Sequence, residues 1–281
     1  GPWSIGRCAV SAGARGARYA AMFARLGAAG EGGFIPFAML GDPDPPRSQA
    51  LVRALAAAGA DALELGLPFS DPVADGPVIQ AAASRALAAG VRRADCWNIV
   101  RTVRNEFPEL PIGLLVYANL VCHRDAGEFY REAAAAGVDS VLVADLPVFE
   151  SGPVAAAARA AGIAPVFIAP PNAVHARLAS IAAAGEAYTY VTSREGVTGT
   201  DDRLRLGRSG LIARLKELHA PPPVLGFGIA TPEHVRAALA MGAAAAISGS
   251  AVVRLAAEGG DVTAFVREMK RATKTGGGRG A

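Results

Sequence analysis

Two carboxylates, Glu64 and Asp75, are the side chains of this sequence best suited to acid–base chemistry. Glu64 lies inside the short apolar run 62–65, which has the length of a buried strand, and Asp75 lies in the polar, proline-containing loop that follows. A carboxylate in a buried run is costly unless it is neutral, paired or used in chemistry. Two acids in unlike environments can have well-separated pKa values, one holding its proton while the other stays ionised. We therefore predict that the two act together, the alternative being that Glu64 is a buried structural carboxylate.

Further polar side chains stand at or near the ends of other predicted strands. Tyr117 follows the third strand, Asp145 follows the fourth, and Tyr188 and Tyr190 lie in the sixth. For the two tyrosines the sequence leaves open both a ligand-binding role and core packing with a hydrogen-bonded hydroxyl. For Asp145 it leaves open a place at the site and a helix cap or loop ion pair.

Three glycine-bearing turns, 196–199, 226–228 and 248–250, follow the predicted strands six, seven and eight. Glycine lets backbone N–H groups converge on an anion, and Ser250 can open a short helix whose N-terminus attracts phosphate. Arg194 and Arg203 are the only cations expected nearby, so we predict a phosphate site held mainly by the backbone. Ordinary strand-to-helix turns are the alternative.

The elements that would position these residues alternate between strand and helix. The apolar runs lack the alternation of half-exposed strands, and helical crossovers make successive strands parallel. Eight such units close into a barrel whose chemistry lies at the C-terminal strand ends. We predict an α/β fold, a (β/α)8 TIM barrel, preceded by an amphipathic helix around 19–26. The predicted strands are 34–40, 62–66, 112–116, 140–143, 166–169, 187–191, 224–226 and 244–247.

A doubly wound open sheet is the alternative fold. It would require a glycine fingerprint after the first strand, and the sequence there, Gly41-Asp42-Pro43, is not one.

Composition excludes several classes of protein. The chain has 281 residues, of which 52% are hydrophobic and 19% charged, enough for one large core. A net charge of +3 with scattered Lys and Arg argues against nucleic-acid binding. The three cysteines and four histidines are widely spaced, which indicates neither a metal site nor a disulfide framework and favours a cytoplasmic protein. The longest uncharged run, 237–253, is interrupted by Gly and Ser and predicts no membrane span.

We expect one catalytic domain over residues 18–273, with flexible segments 1–17 and 274–281 on either side. The Arg-rich, acid-poor first segment leaves a transit peptide as an alternative. The long polar stretch 192–207 is expected to be a loop that closes over a ligand, the alternative being a disordered segment with no role.

Two motifs, ALELGLPFSDPVADGPVIQ at 62–80 and YTYVTSREGVTGT at 188–200, resemble those of the tryptophan synthase alpha chain family. Less specific matches, such as GFGIATPEHV, extend the resemblance from about Tyr19 to Arg254. Glu195 departs from the family, which more often has a small residue there. The resemblance implies that Glu64 and Asp75 are the catalytic acids and that Tyr190 helps to position Glu64. It assigns substrate binding to Phe37, Tyr117, Thr198, Gly199, Phe227, Gly228, Gly249 and Ser250.

The resemblance also implies a function. Members of the family are lyases of tryptophan biosynthesis that cleave indole-3-glycerol phosphate by a retro-aldol reaction to indole and glyceraldehyde 3-phosphate. They use no metal or organic cofactor and pair with a beta chain, which carries pyridoxal phosphate, in an α2β2 tetramer. The loop with Asp71 and Pro72 is the expected contact with that partner.

Other functions remain open on the same barrel. One is a stand-alone indole-3-glycerol-phosphate lyase, and another is a non-catalytic barrel that only regulates a beta chain. A third is a phosphosugar isomerase or aldolase, although a Schiff-base aldolase would need a lysine and the predicted strand ends have none.

Overall fold

The computed structural model describes residues 15–192 and 202–274, with residues 202–209 described by their backbone alone. Eight parallel strands pair in chain order, and the eighth returns to the first, so the sheet is a closed barrel. The predicted TIM barrel is therefore confirmed. The strands are β1 (Gly33–Met39), β2 (Leu63–Gly66), β3 (Ile112–Val116), β4 (Ser140–Val143), β5 (Ala164–Ala169), β6 (Thr189–Val191), β7 (Pro223–Gly226) and β8 (Ala245–Ser248).

Helices connect the strands and surround the barrel. Several begin with a proline in the first turn, where the missing N–H is no loss, and α2 is capped by the Asp44 side chain. The helices are α1 (Ala17–Ala29), α2 (Pro45–Ala57), α3 (Pro77–Ala88), α4 (Arg93–Glu106), α5 (Ala118–Cys122), α6 (Ala126–Ala136), α7 (Gly152–Ala160), α8 (His175–Ala184), α9 (Asp202–Glu217), α10 (Pro232–Ala240), α11 (Ser250–Ala257) and α12 (Val262–Arg271).

Among the differences between the observed elements and the sequence prediction, three concern the helices described next. The sequence did not predict α5 or the short 3-10 helix Val148–Glu150. Helix α9 begins at Asp202, within the stretch 192–207 that was predicted to be a loop. At most residues 192–201 can therefore form that loop, and its part beyond Thr192 lies outside the described residues.

The core has two layers. An outer layer packs the helices against the outside of the barrel, and it includes Leu55, Leu63 and Val100. An inner layer fills the barrel itself with side chains from alternate strand positions, such as Phe37 and Ile247. Side chains that face the barrel interior near the C-terminal strand ends can therefore line a site at the mouth of the barrel.

Helix α1, which the sequence predicted as an amphipathic helix, closes the N-terminal end of the barrel. Its residues Tyr19, Met22, Phe23 and Leu26 are buried and belong to the inner layer. The Ser140 hydroxyl, at the start of β4, donates to the Tyr19 hydroxyl at 3.1 Å. The opposite, C-terminal end of the barrel is left for the site.

A buried aspartate, Asp139, connects several elements at the N-terminal end of the barrel. Asp139 accepts hydrogen bonds from Arg104 at 2.6 Å, Arg18 at 2.7 Å and the backbone N–H of Ile112 at 2.8 Å. Charge-assisted bonds of this kind fix the strand starts and α1 relative to one another.

No helix within 15–192 or 202–274 is long and apolar enough to cross a membrane.

Candidate active site

Glu64 lies at the centre of the inner layer. On β2 it is paired in register with Phe37 of β1 and Gly113 of β3, and it is 2% exposed. The Tyr188 hydroxyl donates to its Oε1 at 3.1 Å. Burial raises the pKa of Glu64 to about 8, the charge of Asp75 adds to the shift, and the Tyr188 hydrogen bond opposes it. Glu64 therefore holds its proton at neutral pH.

Asp75 lies in the loop between β2 and α3, which is fixed by side chains of neighbouring elements. The Tyr117 hydroxyl accepts the N–H of Ala74 at 3.1 Å and also hydrogen-bonds the Asp75 carboxylate. The Tyr117 ring stacks on Phe69 with a centroid distance of 5.3 Å. At the start of α3, the Gln80 amide donates to the backbone carbonyl of Asp75 at 2.8 Å. The end of β3 thus positions the second acid.

The two acids have different environments. Asp75 is partly buried, and burial raises its pKa while the Tyr117 hydrogen bond opposes that rise. Glu64 is fully buried, and its pKa is raised further because burial disfavours the charged carboxylate more strongly there. This difference allows Glu64 to act as the acid and Asp75 as the carboxylate of the pair.

Tyr190, the residue expected to position Glu64, is buried on β6 and lines the cavity described below. It fits there because Gly226 of β7 has no side chain, since a Cβ at that position would overlap the Tyr190 hydroxyl. The hydroxyl that bonds Glu64 in this structure is that of Tyr188, two residues earlier on the same face. The positioning role of Tyr190 remains a prediction.

The two described glycine turns lie at the mouth of the barrel. Phe227 and Gly228 follow β7 with φ angles of 100° and 72°, a left-handed conformation that is strained for phenylalanine. Gly249 follows β8, and Ser250 is the first residue of α11. Such strain at a turn beside a helix N-terminus is typical of ligand-binding sites.

One cavity of about 650 Å³ joins these parts at the C-terminal strand ends. Its lining includes most of the residues that the sequence assigned: Phe37, Glu64, Asp75, Tyr190, Phe227, Gly228, Gly249 and Ser250. Tyr117 acts behind it, through Asp75. Thr198 and Gly199 lie outside the described residues. Asp145 caps α5 instead, accepting the Ala118 N–H at 2.7 Å, which was the alternative that the sequence left open.

The cavity also has lining residues that the sequence analysis did not assign. Ile79, Leu115, Ile168 and Ile247 give one part of the wall an apolar surface, and Arg254 lies at the rim near Ser250. Their strand and helix positions were predictable, but isoleucine and leucine at strand ends are not distinguishable from core residues by type. Among the residues that the structure describes, no group of three or more His, Cys, Asp or Glu could hold a metal ion.

The arrangement can do specific chemistry. A protonated acid and a carboxylate face an apolar chamber that suits an aromatic ring. The same chamber is also lined by backbone turns and a helix N-terminus, which suit an anionic group. The geometry fits proton transfer to and from a substrate that carries both an apolar ring and a phosphate.

Comparison with protein families gives one match that covers most of the chain. The family model described as tryptophan synthase alpha chain matches residues 23–275. The tryptophan synthase alpha chain of Shewanella amazonensis is 55% identical over 254 residues, which are 90% of this chain and 96% of the relative. That of Pectobacterium atrosepticum is 52% identical over 266 residues, covering 92% and 99%.

Solved structures agree with this match. Mycobacterium tuberculosis tryptophan synthase is similar with a TM-score of 0.84 and 29% identity, over 92% of this chain and 99% of that one. A chain of the tryptophan synthase α2β2 complex from Pyrococcus furiosus has a TM-score of 0.78 and 36% identity, over 86% and 98%.

Proposed function

The chain belongs to the tryptophan synthase alpha chain family, and from this premise we propose that Glu64 and Asp75 are its catalytic pair. The reaction is the cleavage of indole-3-glycerol phosphate to indole and glyceraldehyde 3-phosphate, a lyase step of tryptophan biosynthesis. One observation carries the assignment: a buried acid with a pKa of about 8 shares a cavity with a second acid and with the phosphate-type turns.

Glu64 acts first as an acid and then as a base. The bond to be broken joins indole C3 to a carbon that bears a hydroxyl group. Proton transfer from Glu64 to C3 gives the ring an iminium-like positive charge, which draws off the electrons of that bond. As the bond breaks, those electrons restore the indole ring, and the ionised Glu64 takes the hydroxyl proton while the aldehyde forms. The proton count balances, so no external acid or base is needed.

Asp75 stabilises the intermediate charge. Its carboxylate stands beside the indole N–H, where the positive charge develops after C3 is protonated. The loop contacts with Tyr117 and Gln80 hold it there without reorganisation during the reaction. Tyr190 and Phe37 line the same chamber and contribute to ring binding.

The phosphate is bound at the opposite side of the chamber. Gly228, Gly249 and Ser250 supply backbone N–H groups, with Phe227 between the turn's glycines. The family resemblance assigns Gly199 and Thr198 to this site as well, and both lie outside the described residues. Binding energy gained at the phosphate holds the ring against the two acids.

The reaction as written needs no metal or organic cofactor from this chain. Pyridoxal phosphate belongs to the partner, a tryptophan synthase beta chain, with which this chain forms an α2β2 tetramer through the loop containing Asp71 and Pro72. The α2β2 complex of the Pyrococcus furiosus neighbour supports this partnership. The enzyme acts on soluble metabolites in the cytoplasm.

The decisive experiment measures indole release from indole-3-glycerol phosphate by the purified chain, with and without a beta chain. Glu64→Gln abolishes release but leaves binding of glycerol 3-phosphate within about twofold, because the amide cannot donate and retake the proton. Glu106→Gln, the same chemical change at the exposed end of α4, is the matched control and keeps full activity.

Each possible result decides between functions. Near-normal turnover by Glu64→Gln contradicts the role of Glu64. Full turnover without a beta chain favours the stand-alone lyase. Absence of indole release by the wild-type chain, alone and with a beta chain, excludes both lyase functions and leaves the non-catalytic barrel and the phosphosugar enzyme.

A further inference from the structure

The charges along the cavity wall are unbalanced for a phosphate ester. Asp75 is the carboxylate of the pair while Glu64 keeps its proton, and a phosphate adds about two negative charges near neutral pH. Among the described lining residues, Arg254 is the one cationic side chain. The side chains of Arg194 and Arg203, which the sequence had placed nearest, lie outside what the structure describes.

Arg254 stands in register with the start of its helix. Helix α11 begins at Ser250, and Arg254 follows four residues later, so the two lie on the same face. Long side chains on a helix lean towards its N-terminus. The guanidinium therefore extends back towards Ser250 and the Gly249 turn, the place where the phosphate is proposed to bind. Gly228 lines the same cavity from the neighbouring turn.

The charge of Arg254 is not used within the described part of the chain. Other arginines of the barrel, such as Arg85 with Asp42 and Arg104 with Asp139, form short ion pairs with carboxylates. Arg254 is exposed and makes no ion pair or side-chain hydrogen bond with any described residue. A cation in the last turn of a helix also favours the helix dipole, but that alone would not require it to line the cavity.

We propose that Arg254 is the cationic side chain of the phosphate site. Its planar guanidinium donates to phosphate oxygens while the turns supply backbone N–H groups, so the phosphate is not bound by the main chain alone. The identity of the ligand rests on the proposed function, whereas the role of Arg254 in binding a phosphate ester can be tested without catalysis.

The test compares Arg254→Gln and Arg254→Lys with Arg267→Gln. Arg267 is exposed on α12 and does not line the cavity, so its replacement removes the same charge elsewhere. Calorimetry measures binding of glycerol 3-phosphate and of an indole alcohol that has no phosphate. Steady-state assays with a beta chain give kcat and KM for indole-3-glycerol phosphate.

Arg254→Gln weakens glycerol 3-phosphate binding about tenfold at low salt and raises KM by a similar factor, because a charged hydrogen bond is lost. The affinity for the phosphate-free alcohol stays within about twofold, since that ligand makes no phosphate contact. Arg254→Lys restores part of the loss, and Arg267→Gln behaves as wild type. The difference between wild type and Arg254→Gln shrinks at about 0.5 M NaCl, where the charge is screened.

Unchanged glycerol 3-phosphate affinity in Arg254→Gln overturns the proposal, as does an equal loss for the phosphate-free alcohol, which would indicate a purely structural effect. If the wild-type chain binds glycerol 3-phosphate but releases no indole, the proposed function fails while the binding comparison still decides the role of Arg254. If indole release is normal and both affinities are unchanged in Arg254→Gln, the function stands and the inference is wrong.

Discussion

At the scale of single residues, the burial of Glu64 gives it a proton and also limits stability. The folded chain keeps that proton up to a pKa of about 8, whereas the unfolded chain releases it near the ordinary value of 4.5. Between these two pH values the unfolded state binds fewer protons, so the free energy of unfolding falls as pH rises. A group that is protonated for catalysis thus makes the enzyme less stable at alkaline pH.

Replacing Glu64 by Gln tests this directly, because glutamine has no proton to lose. The variant should become more stable than wild type as pH rises, with a gain of about 2–4 kcal/mol at pH 8 that disappears near pH 4. Urea unfolding of the isolated chain at a series of pH values measures the difference. Glu106→Gln, an exposed site, should show no such trend. A difference that stays constant across this range would show that the pKa of Glu64 is not raised.

At the scale of elements, the loop between β2 and α3 depends on the end of β3. Tyr117 contributes two separable interactions, its ring stacked on Phe69 and its hydroxyl bonded to Ala74 and Asp75. The ring packs the loop, and the hydroxyl orients the carboxylate. A change that removes the hydroxyl alone can therefore separate orientation from packing.

Tyr117→Phe should lower kcat about 10- to 100-fold, because the Asp75 carboxylate and the Ala74 N–H both lose their partner. The affinity for glycerol 3-phosphate should hardly change, because the phosphate site lies on other strands. Tyr130→Phe, a buried tyrosine of α6 in the outer core, is the matched control. If Tyr117→Phe keeps its kcat, the loop positions Asp75 without this hydroxyl.

Local patterns predicted most of this architecture, and tertiary contacts explain the remainder. Strand ends agree with the prediction to within two residues, because apolar runs and glycine or proline boundaries are local signals. Helix α5 was missed since its cap, Asp145, comes from the turn after β4, 27 positions away. Tyr188 and Tyr190 share one strand face, so the sequence could not decide which reaches Glu64. That depends on their depth in the barrel.

At the scale of the whole molecule, stability and chemistry occupy opposite ends. Asp139 and its arginine partners fix the base, whereas the two acids and the glycine turns lie at the mouth. Because of this separation, the loops at the mouth can form binding surfaces without lowering the stability of the barrel. Those loops also hold most of the large apolar side chains that the described chain exposes.

These exposed side chains predict where the proposed beta chain docks. Val73, Phe149 and Val174 are 81%, 66% and 67% exposed, and they lie on the loops after β2, β4 and β5. Apolar side chains exposed together on one face mark an interaction surface. Val73 adjoins Pro72, which the sequence analysis had already placed at the partner contact. The predicted surface therefore includes the loops after β2, β4 and β5 at the mouth.

Phe149→Asp and Val174→Asp should each raise the beta-chain concentration that half-saturates stimulation by about tenfold or more, because a charge replaces an apolar contact at the interface. Turnover by the isolated chain should not change, because neither side chain lines the catalytic cavity. Ala24→Asp places the same charge on the exposed face of α1, at the opposite end of the barrel, and should leave stimulation intact. Titration of indole release with beta chain measures all three. Wild-type half-saturation in both mouth variants would place the partner on another face, whereas an equal loss in Ala24→Asp would point to general destabilisation.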